Sequence, residues 1–294
     1  GKEGPPLKAA AFAYAKPASL AEAFELLQKP NAKVLAGGQS LIPAMRFRLA
    51  SPTMLIDINK LTQLESLHED NGHLVIGGLT REVMLEESDA VAKSFALLAD
   101  AARVIADPLV RNRATVGGNL AHADPANDHP AVMLAYNAEV VARSAKGTRT
   151  IPIDDFFVGI FESSLQPDEL LTEIRVPRPG ANSGGAYVKV ERKVGDYAIA
   201  AVAVQLTVEN GNCTAARIAL TNVNSVPMRA TGAEAALIGQ SPNADVLEAA
   251  GQAAAAECDP SGDLRGSVEY KRNLVRILTK RAIAKAAERA GVTR

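Results

Sequence analysis

Ala36-Gly37-Gly38-Gln39-Ser40-Leu41 and Thr115-Val116-Gly117-Gly118-Asn119-Leu120 are the stretches on which the fold turns. Each sets a glycine pair where a strand-like run meets small polar residues. A backbone that must approach a diphosphate needs residues without a Cβ, and consecutive amide N–H groups in such a turn form a positively polarised nest for anionic oxygens. Two nests predict a grip on the two phosphates of a dinucleotide, and a side chain at Gly117 is expected to fill diphosphate space. Neither stretch matches Gly-x-x-x-x-Gly-Lys-Ser/Thr or Gly-x-Gly-x-x-Gly, which argues against a nucleoside triphosphatase and a Rossmann domain. A lone Gly-Gly also serves as a plain turn. The polar company of Gln39 and Ser40, and of Thr115 and Asn119, tells against that simpler use.

Outward from the first pair, Ser19 and Glu22 have capping-box spacing after Pro17, and Leu20, Phe24 and Leu27 share one helical face. Lys33-Val34-Leu35 reads as a strand, a helix is expected after Pro43, and Met54 to Ile58 as a second strand. Residues 1–60 thus form an α/β subdomain. Around the second pair the pattern predicts strands at 73–78, 139–142, 148–151 and 170–176, with helices at 81–87, 94–105 and 130–136. Short turns between these strands suggest antiparallel pairing, and Pro177, Pro179 and Gly180 mark the end of a second subdomain, 61–180. Residues 181–294 read as an independent α+β domain. Strands at 186–190, 199–208 and 214–221 form a three-stranded sheet whose middle strand is nearly all apolar, followed by helices at 233–238, 244–258 and 267–290.

Composition narrows the function. The chain has 294 residues, 47% hydrophobic, which is room for about two ordinary cores. Its 32 basic and 33 acidic residues are interspersed, so no basic stripe suggests nucleic acid. No apolar run has the length to span a bilayer, and Gly1 to Lys8 lacks the apolar core of a signal peptide, so the expected location is the cytoplasm. Cys213 and Cys258 stand alone, too few for an iron–sulfur cluster, and the four histidines show no paired metal-ligand spacing.

The run His122-Ala123-Asp124-Pro125-Ala126-Asn127-Asp128-His129-Pro130 cannot continue a strand. A loop so dense in proline and acid usually serves a site. Asp128 either accepts hydrogen bonds from ribose hydroxyls or begins the helix ahead of Pro130, and both readings stay open. Asp124 reads as structural.

At these residues the chain resembles the FAD-binding medium subunits of the molybdenum hydroxylases, the group that includes carbon monoxide dehydrogenase and xanthine dehydrogenase. Ala36 to Leu41 is similar to the family's Ala-Gly-Gly-x-Ser-Leu, and Arg111 to Asn119 to its Arg-Asn-x-Ala-Thr-x-Gly-Gly-Asn. Lys189-Val190-Glu191-Arg192-Lys193-Val194-Gly195-Asp196-Tyr197-Ala198 is similar to a third block, with Lys193 where the family carries a second arginine. Lysine lacks the planar fork of arginine, which bears on the acceptor this loop would prefer. The resemblance covers essentially the whole chain.

It implies an α+β chain with a two-subdomain, vanillyl-alcohol-oxidase-like (PCMH-type) FAD-binding fold, followed by a C-terminal domain with a three-stranded antiparallel sheet and a helical bundle. The implied cofactor contacts are Ala36, Gly37, Gly38, Gln39, Ser40 and Leu41, with Thr115, Val116, Gly117, Gly118 and Asn119, at the pyrophosphate. Ile105 and Ala106 fall near the adenine or ribose, Asp128 near the ribityl or ribose, Leu171 and Lys189 near the isoalloxazine, and Asp196 and Tyr197 beside its reactive edge. The resemblance further implies a large partner subunit with the molybdenum cofactor, a small partner with two [2Fe–2S] clusters, and a dimer of heterotrimers. Electrons from the clusters would reach FAD here and leave to a quinone, NAD or oxygen. A stand-alone flavin oxidase is the rival within this fold, opposed by only five Tyr, seven Phe and no Trp to wall a substrate pocket. A partner that has lost the cofactor is opposed by the intact glycine pairs, Asn119 and Asp128.

Overall fold

A computed structural model describes residues 8–292, so most of Gly1 to Lys8, and with it the stretch from which a cytoplasmic location was read, lies outside the described residues. The first unit is a parallel sheet of β1 (Ala13–Ala15), β2 (Ala32–Leu35) and β3 (Met54–Asp57) in the order β1-β3-β2. Helix α1 (Leu20–Leu27) makes the first crossover. Ser19 Oγ caps it by accepting from the Glu22 N–H, while Glu22 reaches back to the Ala18 N–H, one residue earlier than a capping box specifies. Ala23, Phe24 and Leu27 bury its inner face. Helix α2 (Leu41–Arg46) makes the second crossover and begins before Pro43, not after it. Proline is tolerated there because the first-turn N–H groups have no intrahelical acceptor.

The second unit is an antiparallel sheet of β4 (Leu67–Asp70), β5 (His73–Gly77), β6 (Glu139–Ser144) and β7 (Gly147–Pro152), with a small hairpin of β8 (Phe157–Gly159) and β9 (Glu162–Ser163) preceding the central strand β10 (Leu170–Pro177). The order is β4-β5-β10-β6-β7. Between β5 and β6 run helices α3 (Glu82–Glu87), α4 (Asp89–Ser94), α5 (Ala96–Ala102), α6 (Pro108–Arg111), α7 (Val116–His122) and α8 (Asp128–Tyr136). The helix expected over 94–105 is the shorter α5, and Phe95, whose φ of −128° is not helical, separates it from α4, which was not foreseen.

In the third unit β11 (Ser183–Glu191), β12 (Ala198–Glu209) and β13 (Asn212–Thr221) pair antiparallel as the sequence predicts, and a two-residue strand β14 (Met228–Arg229) adds to the β13 edge. Helices α9 (Thr231–Leu237), α10 (Ala244–Glu257) and α11 (Val268–Arg289) follow. Successive strand residues face opposite sides. Ala200, Val202, Val204 and Leu206 turn toward α10 and α11, whereas Ala201 and Ala203, with Tyr187 and Ala219, join a core built on α5, α8 and the second sheet. The third unit is therefore not independent of the second. Alanines on that face leave room for the helices to approach closely, and this is why β12 is buried on both sides.

Between α10 and α11, Glu248 accepts from Arg276 and Lys280. The Lys280 ammonium, then the Arg276 guanidinium, hold its carboxyl down at about 2, below an ordinary 4.5. A depressed carboxylate contributes stability above its unfolded pKa and loses it as pH falls toward the folded value. Unfolding of the C-terminal helices should become easier between pH 4.5 and about 2, and Glu248→Gln should flatten that limb when urea midpoints are followed against pH.

Candidate functional site

A single cavity of about 1260 Å³ opens where the three units meet. That exceeds the few hundred Å³ of common small-ligand pockets and suits a dinucleotide. All of residues 36–41 line it, as do Ile105 and Ala106, Thr115, Gly118 and Asn119, Asp128, and Asp196 and Tyr197. Val116, Gly117, Leu171 and Lys189 stand behind its wall.

The first loop behaves as an open turn. Gly38 has φ +74°, a left-handed conformation that glycine adopts without strain. Among the described residues, the N–H groups of Gly38, Gln39 and Ser40 donate to no protein acceptor, and Ser40 makes no capping bond at the start of α2. Asn59 braces the loop through Nδ2 to the Ala36 carbonyl at 2.9 Å, and Arg81 holds Asn59 Oδ1 at 2.6 Å while also donating to the Arg113 carbonyl. Neither Asn59 nor Arg81 was foreseen from the sequence. Their partners lie 22 to 32 residues away and leave no local pattern.

The second pair differs. Thr115 is the N-cap of α7, and its hydroxyl accepts from the Gly118 N–H at 3.1 Å, while the Val116 N–H goes to the Thr80 carbonyl at 3.0 Å. With the Asn119 N–H donating to the Thr115 carbonyl at 2.9 Å, three amides of the expected nest are already engaged. A Cβ on Gly117 would come 2.5 Å from the Gly78 carbonyl oxygen, so the absence of a side chain serves helix packing and not space inside the cavity. Gly37 has the same use, since a Cβ there would sit 2.3 Å from the Arg113 carbonyl oxygen. Asn119 lines the cavity with Oδ1 buried and, among the described residues, lacking a protein partner, an orphan of the kind a bound group satisfies.

Asp128 is the first residue of α8, where Asn127 takes the N-cap position. Its carboxylate accepts from the Tyr187 hydroxyl at 2.6 Å and from Lys189 Nζ at 3.0 Å. Burial pushes this carboxyl up from the ordinary range against the pull of the Lys189 charge. Burial and the Asp128 charge together push the Tyr187 phenol well up. Lys189 also donates to the Val104 carbonyl and pairs with Glu191 at 3.3 Å, so its ammonium is held within the protein. Asp124 closes an Asx-turn onto the Ala126 N–H, a structural use as read.

Around the rim, Arg111 donates to the carbonyls of Ile105 and Ala106 and pairs with Glu86, fixing the bend at Ala106, φ +49°. His122 stacks obliquely on Phe161, ring centroids 5.1 Å apart, and burial lowers its pKa against the pull of Asp124. Below the cavity, fully buried His129 meets Glu82 at 2.6 Å and ties α8 to α3. Burial raises the Tyr197 phenol, with the Asp124 and Asp128 charges adding to it.

The family model for the FAD binding domain in molybdopterin dehydrogenase matches residues 10–179, and that for the CO dehydrogenase flavoprotein C-terminal domain matches 185–286. The chain belongs to this flavoprotein family. It is 43% identical over 274 residues to the carbon monoxide dehydrogenase medium chain of Hydrogenophaga pseudoflava, covering 92% of this chain and 96% of that one. To the nicotine 6-hydroxylase medium subunit of Paenarthrobacter nicotinovorans it is 39% identical over 285 residues, 96% of this chain and 100% of that one. A solved carbon monoxide dehydrogenase from H. pseudoflava, described as lacking the Mo-pyranopterin moiety of its molybdenum cofactor, superposes with a TM-score of 0.93 at 44% identity over 96% of this chain and 99% of that one. Quinoline 2-oxidoreductase from Pseudomonas putida 86 gives 0.92 at 33% identity, over 97% and 100%. As a member of this family the chain is an FAD-binding medium subunit of an oxidoreductase related to carbon monoxide and xanthine dehydrogenases. Among the described residues no helix is long and apolar enough to cross a membrane.

Gly117→Ala tests the packing use of the second glycine pair. Overpacking against the Gly78 backbone should cost roughly 1–3 kcal/mol. Urea unfolding of the chain without FAD should already show the loss, which a role confined to ligand space would not produce.

Proposed function

We propose that the cavity holds FAD, that the chain receives single electrons from an iron–sulfur partner subunit, and that it releases pairs to an external acceptor. The observation that carries this reading is the convergence of three sequence blocks, 36–41, 111–119 and 189–198, each of which supplies residues lining one cavity. The free amides of the first loop and the positive N-terminal end of α7 suit the two phosphates. Asp128 and Asn119 offer acceptors to hydroxyl groups. Asp196 and Tyr197 stand at the isoalloxazine end, where the aromatic ring limits approach. Lys189 and Leu171 act through the wall, the first by holding Asp128 and the second by seating its carbonyl against Gly78, where a Cβ would lie 2.3 Å away.

Bound flavin would supply the conversion between one-electron and two-electron transfer. This chain's residues bind it, orient it and screen its edge from water, and none is needed as nucleophile or general base. The molybdenum cofactor and substrate would belong to a large partner chain, two [2Fe–2S] clusters to a small one, the whole forming a dimer of heterotrimers. Similar medium chains serve enzymes named for carbon monoxide, nicotine and quinoline, which fits a chain that does not choose the substrate. Two buried free thiols agree with a reducing compartment, the cytoplasm. The units proposed are 1–60, 61–180 and 181–294.

Expression of the chain alone and with its two partner genes tests the reading. The lone chain should take up one equivalent of FAD and oxidise no organic substrate; the co-expressed chain should elute in a complex containing molybdenum, iron and FAD. Turnover of an organic substrate by the metal-free lone chain would identify a flavin oxidase instead.

A further inference from the structure

The turn between α10 and α11 belongs to the C-terminal helices, yet it contacts Asp196, which lines the cavity. Asp263 Oδ1 accepts from the Arg265 N–H at 2.7 Å and the Gly266 N–H at 3.1 Å, closing the turn on itself. Lys271, only 1% exposed on α11, fastens it from below by donating to the Ser261 carbonyl at 2.9 Å and to Asp263 Oδ2 at 2.8 Å. A buried ammonium with no other acceptor is costly, so this lysine is committed to the turn. The turn in turn presents Arg265, whose Nη2 meets Asp196 Oδ1 at 2.9 Å. That same oxygen accepts the N–H of Tyr197 at 2.9 Å. Burial pushes the Asp196 carboxyl up, but the Tyr197 N–H and the Arg265 and Arg192 charges outweigh it and hold it below the ordinary range. The second cation, Arg192, sits 3.4 Å from Asp196 on a side chain 64% exposed, so Arg265 is the firmer partner.

From this relay we infer that Arg265, steadied by Lys271 and Asp263, is a positioning residue that fixes Tyr197 over the flavin end of the cavity and so sets how freely small molecules reach the ring. It acts through Asp196 and touches no part of the cavity itself. The loop's start is also held by the Asp196 N–H donating to the Lys193 carbonyl at 3.1 Å and by close packing, Gly195 lying so near Ala106 that a Cβ would be 2.9 Å from its carbonyl oxygen. Those contacts position the loop's start, and pairing of Ala198 with Glu191 and Asn222 fixes the chain after Tyr197, so Arg265 acts on the Asp196–Tyr197 segment between them.

The inference rests on the FAD reading above. Its test uses the full chain loaded with FAD, measuring quenching of flavin fluorescence by acrylamide, a neutral quencher that does not respond to the lost charge. Arg265→Met should raise the quenching constant about tenfold, the scale expected on losing one charge-assisted hydrogen bond. Tyr197→Ala should raise it as far, the double variant no further, and Arg265→Lys should recover part of the protection. In the assembled enzyme Arg265→Met should change KM for the electron acceptor more than kcat. Unchanged quenching in a variant with full FAD content overturns the inference, as does an Arg265→Met effect that adds in full to that of Tyr197→Ala. If Arg265→Met does not fold, Asp263→Asn, which loosens the same turn, must give the same rise or the inference fails. A wild-type chain that takes up no FAD overturns both this inference and the reading beneath it, and is seen before any variant is made.

Discussion

Backbone meets backbone without side chains between them at three successive places, and the cavity depends on it. Gly37 lies on Arg113 and Ala114, Gly117 on Gly78, and Gly78 on the Leu171 carbonyl. These contacts stack the first loop, the start of α7, the turn after β5 and the central strand β10 into one wall. A methyl group at any of them would meet backbone atoms at 2.3 to 2.5 Å, and backbone cannot step aside as a side chain can. Arg81 and Asn59 complete the wall by hydrogen bonding.

Opposite this wall the second and third units are joined by buried charge. Asp128 on α8 and Lys189 on β11 are 3.0 Å apart with side chains almost wholly buried, and Tyr187 completes the set. Breaking such a pair by removing one member costs about 3–5 kcal/mol, because the other charge is stranded. The pair therefore locks register between α8 and the C-terminal sheet, where the apolar contacts are mostly small alanines and specify position weakly. Asp100 adds a second lock, accepting from Lys285 and Arg289 of α11. A cleft between units held this way is preformed, which spares a ligand the cost of ordering it.

Much of this architecture was legible in the sequence, and the successes share a cause. The α1 cap at Ser19, the alternation of strands and glycine turns, and the twelve-residue β12 express local preferences or burial patterns within a few residues. The same holds for the Asx-turn at Asp124. The misses share another cause. Gly117 was read as clearing space for a diphosphate because a glycine pair looks alike whether it faces a ligand or another strand of backbone. The break at Phe95 within 94–105 carries no glycine or proline to announce it. Independence of the third unit was inferred from a sheet backed by helices, whereas Ala201 and Ala203, with Tyr187, Ala198 and Ala219, face the second unit's core instead.

By itself the sequence determined the element types, the order of the units, the three blocks that carry the family, and the residue types around the cavity, since these follow from short-range sterics, capping and periodicity. Tertiary structure alone decided which of those residues face the cavity and which stand behind it. It turned Lys189 inward onto Asp128, set Gly117 against Gly78, and brought Arg265 to Asp196 across 69 residues of chain. The physical reason is that these are choices of partner. A charged or glycine residue states a need for a counter-charge or for close approach, and only the packed chain supplies the group that meets it.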